Sequence, residues 1–318
     1  MLTRQKLPQA VLINILQEYD LGKVKKIESV LTSGNITFLI KVELGEYILR
    51  LCPEGERWRS QEEILAELEL IDYLNQHSFP VLCPVAKKNG EVIIEYENKF
   101  GYLRKYDSGQ AILEPNIKQV IQFGKTIGWF HSLIEDYQTE HKREHFWDLK
   151  TTQENFLEAK ENILTSNFPQ AKDFVAKLEK ELFALSFSEE LPKGIIHEDL
   201  GRRHVLWQNN QISCILDFDR CYYGQLVLDL GQAIRGWCFI DNWRKWSNQN
   251  LTALLKGYSQ KRKLIGLEKK HLFEAVKFAV LERGLAFCLR FIEVSQNSAD
   301  QKFAQQSVFD LLEILKAA

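Results

Sequence analysis

The sequence carries almost no net charge, −2 over 318 residues. This argues against DNA, RNA or an anionic membrane as the main partner, because such surfaces select for a clear positive excess. Long apolar runs are also missing. The most apolar helical stretch, residues 275–294, is interrupted by Lys277, Glu282, Arg283 and Arg290, which excludes a membrane span. The opening residues, MLTRQKLPQAVLINILQEYD, have neither a long apolar core nor a small-residue cleavage site, so no secretory signal is expected. Cysteine is scarce. Cys52, Cys83, Cys214, Cys221, Cys238 and Cys288 are scattered, mostly in apolar settings, with no Cys-x-x-Cys among them. Reduced, buried thiols in a cytoplasmic protein are the plain reading. Repeats, low-complexity tracts and flexible linkers are absent as well. What remains has the composition of an ordinary soluble protein and is long enough for two lobes, each with its own core.

The most informative stretch runs from residue 194 to 229, GIIHEDLGRRHVLWQNNQISCILDFDRCYYGQLVLD. A short buried strand at 194–197 leads into a polar loop at 198–204. Strands at 205–207 and 212–216 follow, joined by Gln208-Asn209-Asn210-Gln211, and Asp217-Phe218-Asp219 closes the hairpin. Asn tolerates the left-handed backbone that tight turns require. The hairpin folds its ends together, so Asp199, His204 and Asp217 are expected to surround one point. A carboxylate at each end of a hairpin suits a hard cation held beside a reacting phosphate.

These residues resemble the catalytic core of the aminoglycoside phosphotransferase and choline kinase family, small-molecule relatives of the protein kinases. The matching residues are His197-Glu198-Asp199-Leu200, Val205-Leu206, Leu216-Asp217-Phe218 and Asp229-Leu230. Within that family, residues 226–230 with Gly236-Trp237-Cys238-Phe239 are most similar to the type II homoserine kinases. The resemblance implies an α+β, two-lobed, protein-kinase-like fold. A small antiparallel-sheet, nucleotide-binding lobe spans 1–105, and a mainly helical catalytic and substrate lobe spans 106–318. It implies ATP and Mg2+ as cofactors, with Mn2+ as an option, and a small hydroxylated metabolite as acceptor. Homoserine leads, followed by an aminoglycoside, choline-like, amino-alcohol or thiosugar compound.

The resemblance also distributes roles. Asp199 accepts or orients the proton of the acceptor hydroxyl, Asp217 binds the cation, and His197 shapes the loop. Arg50, on a strand of the first lobe, clamps the nucleotide phosphates and pairs with Glu67 on the helix at 60–77, for which Ser60 and Glu63 supply a capping box. Ser33 and Gly34 lie in the turn that covers the phosphates. Arg104 and Tyr106 lie at the hinge where backbone groups bind adenine. Asp219, Arg235 and Trp237 face the acceptor, although Arg235 reads equally well as a surface residue. Asp229 both caps the helix at 230–237 and braces the catalytic loop, whereas His131, at the end of the helix at 117–133, reads as structural.

Two positions depart from the family. His204 stands where the family has its magnesium-binding Asn, and imidazole is a softer ligand than an amide oxygen. Three outcomes stay open: His204 binds a softer ion such as manganese, it bonds to Asp199 and leaves the cation to Asp217, or the protein is a nucleotide-binding pseudokinase with an interaction role. Glu198 replaces a small residue and is expected to point away from the site, because neighbouring side chains in extended backbone diverge.

Overall fold

A computed structural model describes residues 7–30, 35–52, 60–139, 141, 143 and 147–318. Ser33 and Gly34 lie outside the described residues. The first lobe begins with helix α1 (Gln9–Gln17), whose Leu12, Ile15 and Leu16 are buried. Strands β1 (Val24–Val30), β2 (Ile36–Val42) and β3 (Gly45–Leu51) form an antiparallel meander. Helix α2 (Gln61–Gln76) follows, with Ser60 and Glu63 making the expected reciprocal cap. Strands β4 (Ile93–Tyr96) and β5 (Lys99–Lys105) complete a sheet of order β1-β2-β3-β5-β4. The strand expected at 81–85 is reduced to a single bridge, Pro84 to Arg104. Pro80 just before that segment and Pro84 within it cannot donate to a ladder.

The sheet buries Ile40, Leu49, Leu51, Ile94 and Leu103 against α1 as one apolar cluster. The inward face of α2, Ile64, Leu68, Ile71 and Leu74, belongs instead to the large core of the helical lobe. Thus α2 is the element that couples sheet to helices.

The second lobe starts with β6 (Gln110–Ala111) and helices α3 (Ile117–Ile134), α4 (Leu149–Thr165) and α5 (Ala171–Phe183). Strand β7 (Lys193–Ile196), hairpin β8 (Val205–Gln208) and β9 (Gln211–Ile215), and strand β10 (Tyr222–Gln225) come next. They lead into α6 (Leu226–Cys238), all of whose residues are buried. The small hairpin β11 (Phe239–Ile240) and β12 (Lys245–Trp246) precedes α7 (Asn248–Tyr258), α8 (Gly266–Arg290), α9 (Ser298–Gln306) and α10 (Leu312–Lys316).

Helix α6 begins at Leu226, four residues earlier than the helix expected from 230. Asp229 therefore lies inside the first turn and is not the N-cap. The cap position is Gln225, the last residue of β10, and its side chain makes no capping bond. Helices α3 and α7 approach closely because α3 offers Gly124 and Gly128. A Cβ at these positions would come within 2.1 Å of Leu254 O and 2.4 Å of Tyr258 O. That approach brings Tyr258 to His131, a contact used below.

Candidate active site

The loop between β7 and β8 is held by its own polar groups. His197 is fully buried. Its Nδ1 accepts from the Asp199 N–H at 3.2 Å and its Nε2 donates to Leu216 O at 3.0 Å. The ring therefore ties the start of the loop to the residue before Asp217 and touches no open space. Burial lowers its pKa below the ordinary histidine value, against the pull of Asp229. Glu198 and Asp217 adopt left-handed backbone, φ 67° and 74°, a costly conformation for residues with a Cβ. At Glu198 that geometry is fixed from both sides: its N–H donates to Asp229 Oδ1 at 2.8 Å and its carbonyl accepts from Arg283 Nη2 at 3.0 Å.

The hairpin β8–β9 turns on Asn209 and Asn210, φ 48° and 60°. Two successive left-handed residues make the turn that matches strand twist. Leu216 N donates to His204 O at 2.8 Å and closes the open end. Asp199, His204 and Asp217 are brought together as the pattern implies. One ligand atom from each lies within 4.8 Å of the others. The His204 Nδ1–H donates to Asp199 O at 2.8 Å, which leaves Nε2 facing Asp217 Oδ2 at 3.3 Å. Burial works against the charged ring, but the Asp199 and Asp217 carboxylates raise the His204 pKa above its ordinary value. Burial likewise opposes ionisation of Asp217, yet Arg50 and then His204 hold its carboxyl below the usual range.

Arg50 reaches across from β3. Its Nη2 lies 2.6 Å from both Asp217 Oδ1 and Asp219 Oδ2. The expected Arg50–Glu67 pair is not the one formed. Glu67 is buried and accepts from the Tyr102 hydroxyl at 2.8 Å, while two carboxylates claim the guanidinium. Asp219, expected at the acceptor, instead faces the first lobe: it binds Arg50 and accepts from Asn35 Nδ2 at 3.1 Å. At the hinge, Tyr106 is exposed and its N–H donates to Glu46 O at 2.9 Å. Arg104 lies in β5 opposite Ile48. The Tyr106 N–H, one backbone group of the segment expected at the adenine, is thus engaged by the sheet.

Behind Asp199 stands a network that sequence reasoning did not assign. Arg283 Nη2 lies 3.1 Å from Asp199 Oδ1, and its Nε lies 3.3 Å from Glu282 Oε2. Burial raises the Asp199 pKa, but Arg283, with His204 and Arg220, outweighs it and holds the carboxyl well below the usual carboxylate range. Arg220 pairs with both Glu198 and Glu282, and the Gln232 amide donates to the same two acids. Glu198 thus faces into this network, away from Asp217. The signal for these residues was present: Glu282-Arg283 interrupts an apolar helix, and charges there must be paired internally.

Trp237 is wholly buried, stacked on Phe123 at 3.8 Å, and its indole N–H donates to Leu200 O at 3.0 Å. It supports the loop from behind and presents no face to an acceptor, because its indole is enclosed by Phe123 and the loop itself. Arg235 is also buried, which removes the surface reading. Its Nε donates to Gln232 Oε1 at 3.2 Å, and burial, then Arg283, lowers its pKa to about 10. Asp229 accepts from His197 N, Glu198 N and the His131 ring, so it braces the loop as expected.

Residues 29–264 match the model of the phosphotransferase enzyme family. The homoserine kinase of Pseudomonas aeruginosa strain LESB58 is 25% identical over 306 residues, covering 95% of this chain and 90% of the relative. The homoserine kinase of Neisseria meningitidis serogroup B strain MC58 is 27% identical over 282 residues, 87% of this chain and 84% of the relative. Among solved structures, amicoumacin kinase hAmiN superposes with a TM-score of 0.72 at 17% identity, covering 98% of this chain and 94% of its own. The microcompartment-associated aminopropanol kinase gives 0.72 at 16% identity, with 98% of both chains covered. These structural likenesses support the two-lobed, kinase-like fold.

Proposed function

The chain belongs to the phosphotransferase enzyme family, and on that premise we propose that it phosphorylates the hydroxyl of a homoserine-like amino acid, an amino alcohol and an aminoglycoside being the next candidates. It is a small-molecule kinase. Relatives that share nearly its whole length are homoserine kinases, and ATP is the donor such kinases use. One observation carries the residue-level reading: Arg50 on the sheet lobe meets Asp217 at 2.6 Å beside a cluster of Asp199, His204 and Asp217. Phosphoryl transfer asks for this set, a cation over the phosphates, an acid to orient the acceptor and ligands for a metal.

In this reading Asp199 orients the acceptor hydroxyl. Arg283 keeps it ionised, so it acts as a fixed hydrogen-bond acceptor and only a weak base. Arg50 contacts phosphate, and Asp219 is its partner between turnovers. Asp217 and His204 are the residues that would hold a divalent cation, which when bound neutralises phosphate charge. One carboxylate and one imidazole would fit manganese at least as well as magnesium. His197, Trp237 and Asp229 position the loop without touching the reactants. Nothing in the fold or the site favours the non-catalytic alternative.

The test is an acceptor screen that reads ADP release with Mg2+ and with Mn2+, using homoserine, 3-aminopropan-1-ol and an aminoglycoside, with Asp199→Asn as the blank. Homoserine turnover lost in the blank supports the reading. Turnover retained in the blank removes Asp199 from its role.

A further inference from the structure

We infer that the acceptor carries a carboxylate and that Arg235, on α6, receives it. This rests on the reading that the acceptor sits at Asp199. Around that residue Arg50 has Asp217 and Asp219, Arg220 and Arg283 share Glu198 and Glu282, and Arg202 spends both Nη atoms on the Leu113, Trp237 and Phe239 carbonyls. Arg235 has no carboxylate partner among the described residues. It is 6% exposed, its Nε is spent on the neutral Gln232 amide, and its Nη1 is buried without a partner. Gln232 offers it nothing further, because the amide nitrogen serves Glu198 and Glu282. A desolvated guanidinium with unspent donors is a costly thing to keep unless an anion completes it.

The surroundings fit a site that receives a small planar anion. Gly236, the next residue, packs against the loop that carries Asp199: a Cβ there would lie 3.3 Å from Gly201 Cα and 3.6 Å from Leu200 O. Arg235 is thus one residue from direct contact with that loop. Its guanidinium lies 5.1 Å from the ring centre of Trp243. Trp243 ends a run of three left-handed residues, Asp241, Asn242 and Trp243, φ 52°, 51° and 67°. The flanking pairs Phe239 with Trp246 and Ile240 with Lys245 pin this run, and the Trp243 ring sits edge-on to Phe303. Strain of this kind, over-determined by its neighbours, gathers at ligand clamps. Guanidinium geometry suits a carboxylate bound through two parallel N–H bonds. A hydroxylated amino acid presents a hydroxyl and a carboxylate at once. An amino alcohol lacks the anion, and an aminoglycoside has the opposite charge.

The experiment compares L-homoserine, 4-hydroxybutyrate and 3-aminopropan-1-ol on the full-length protein, wild type and Arg235→Gln, by calorimetric binding in the presence of a non-hydrolysable ATP analogue and by ADP release. Both carboxylate compounds are expected to bind the wild type at least ~10-fold more tightly than the amino alcohol, the worth of a charge-assisted pair. Arg235→Gln is expected to remove that preference, and Arg235→Lys to restore part of it. Retained binding of the ATP analogue shows that each variant is folded. Equal affinity for all three compounds, an unchanged preference in Arg235→Gln, or no binding of any acceptor would overturn the inference. Arg235-dependent carboxylate binding with no ADP released from any acceptor leaves it standing and sinks the kinase reading instead.

Discussion

Two histidine–aspartate constellations are built on the same short segment after β7, and they differ in one respect. His131 and Asp229 are both completely buried. The Asp229 carboxylate accepts from His131 Nε2 at 3.0 Å and from two backbone N–H groups, and the other His131 nitrogen meets the Tyr258 hydroxyl at 2.8 Å. Arg262 donates to that hydroxyl in turn. Each of these groups has its partner. In the other constellation, His204 and Asp199 are about a quarter exposed and Asp217 31%, and their side chains stand 3.3 and 3.7 Å apart. The one short bond His204 makes is to a backbone carbonyl. Residue type does not separate a brace from a binding site here; saturation does. The first set has spent its hydrogen-bonding capacity on the fold, and the second keeps ligand atoms in reserve.

The sharpest way to break that contrast is to neutralise one acid in each set. Asp199→Asn is expected to lower kcat roughly a thousandfold, within the range measured for a positioned acid–base group, with the unfolding midpoint little changed. A loss below about tenfold would mean that the open constellation is not where the chemistry occurs. Asp229→Asn should do the reverse. Its amide would turn a donor toward groups that are themselves donors, at a cost of about 2–3 kcal/mol for the charged hydrogen bonds lost. Urea unfolding measures the stability, and activity per folded molecule should fall much less than in Asp199→Asn. If the fold tolerates Asp229→Asn without loss, the brace assignment fails.

This division was only half legible in the sequence. The hairpin, its Asn-Asn turn and the convergence of Asp199, His204 and Asp217 follow from local pattern, because a tight turn fixes register and register fixes which side chains meet. The α2 cap followed for the same reason. Long-range choices did not. Arg50 had one helical acid and two hairpin acids to choose from, and only the packing of α2 against the helical lobe decides that Glu67 serves Tyr102. Arg283 lies 84 residues beyond Asp199 in the chain numbering, and nothing local announces their meeting. Its one signal was an ion pair inside an apolar helix, a feature that excludes a membrane span before it suggests a site.

His204→Asn sharpens the comparison within the open set. It replaces a softer nitrogen with an amide oxygen, so the ratio of activity with Mn2+ to that with Mg2+ is expected to fall about tenfold, in line with the ligand preferences of the two ions. An unchanged ratio would mean that His204 is not a ligand and serves only to hold Asp199 through its carbonyl.

The smallest effect is in proton binding, where the saturated and unsaturated histidines should part in opposite directions. His204 lies between two carboxylates and its pKa is raised; His197 is sealed in the loop and its pKa is lowered. A raised histidine binds its proton more tightly when folded, so its stabilisation is complete below the unfolded value of about 6.5 and disappears as pH rises through the folded one. A lowered histidine does the opposite: stability drops as pH falls below about 6.5, because the unfolded chain takes up a proton that the fold refuses. Removing His204 as Asn should abolish the decline in stability above about pH 6.5 and leave the rise below it, which belongs to His197, in place. Ring-proton NMR titration, with His204→Asn identifying one resonance and His197→Gln the other, reads the two directions separately. Both rings moving the same way would show that the burial of His197 and the two carboxylates beside His204 do not set their proton affinities.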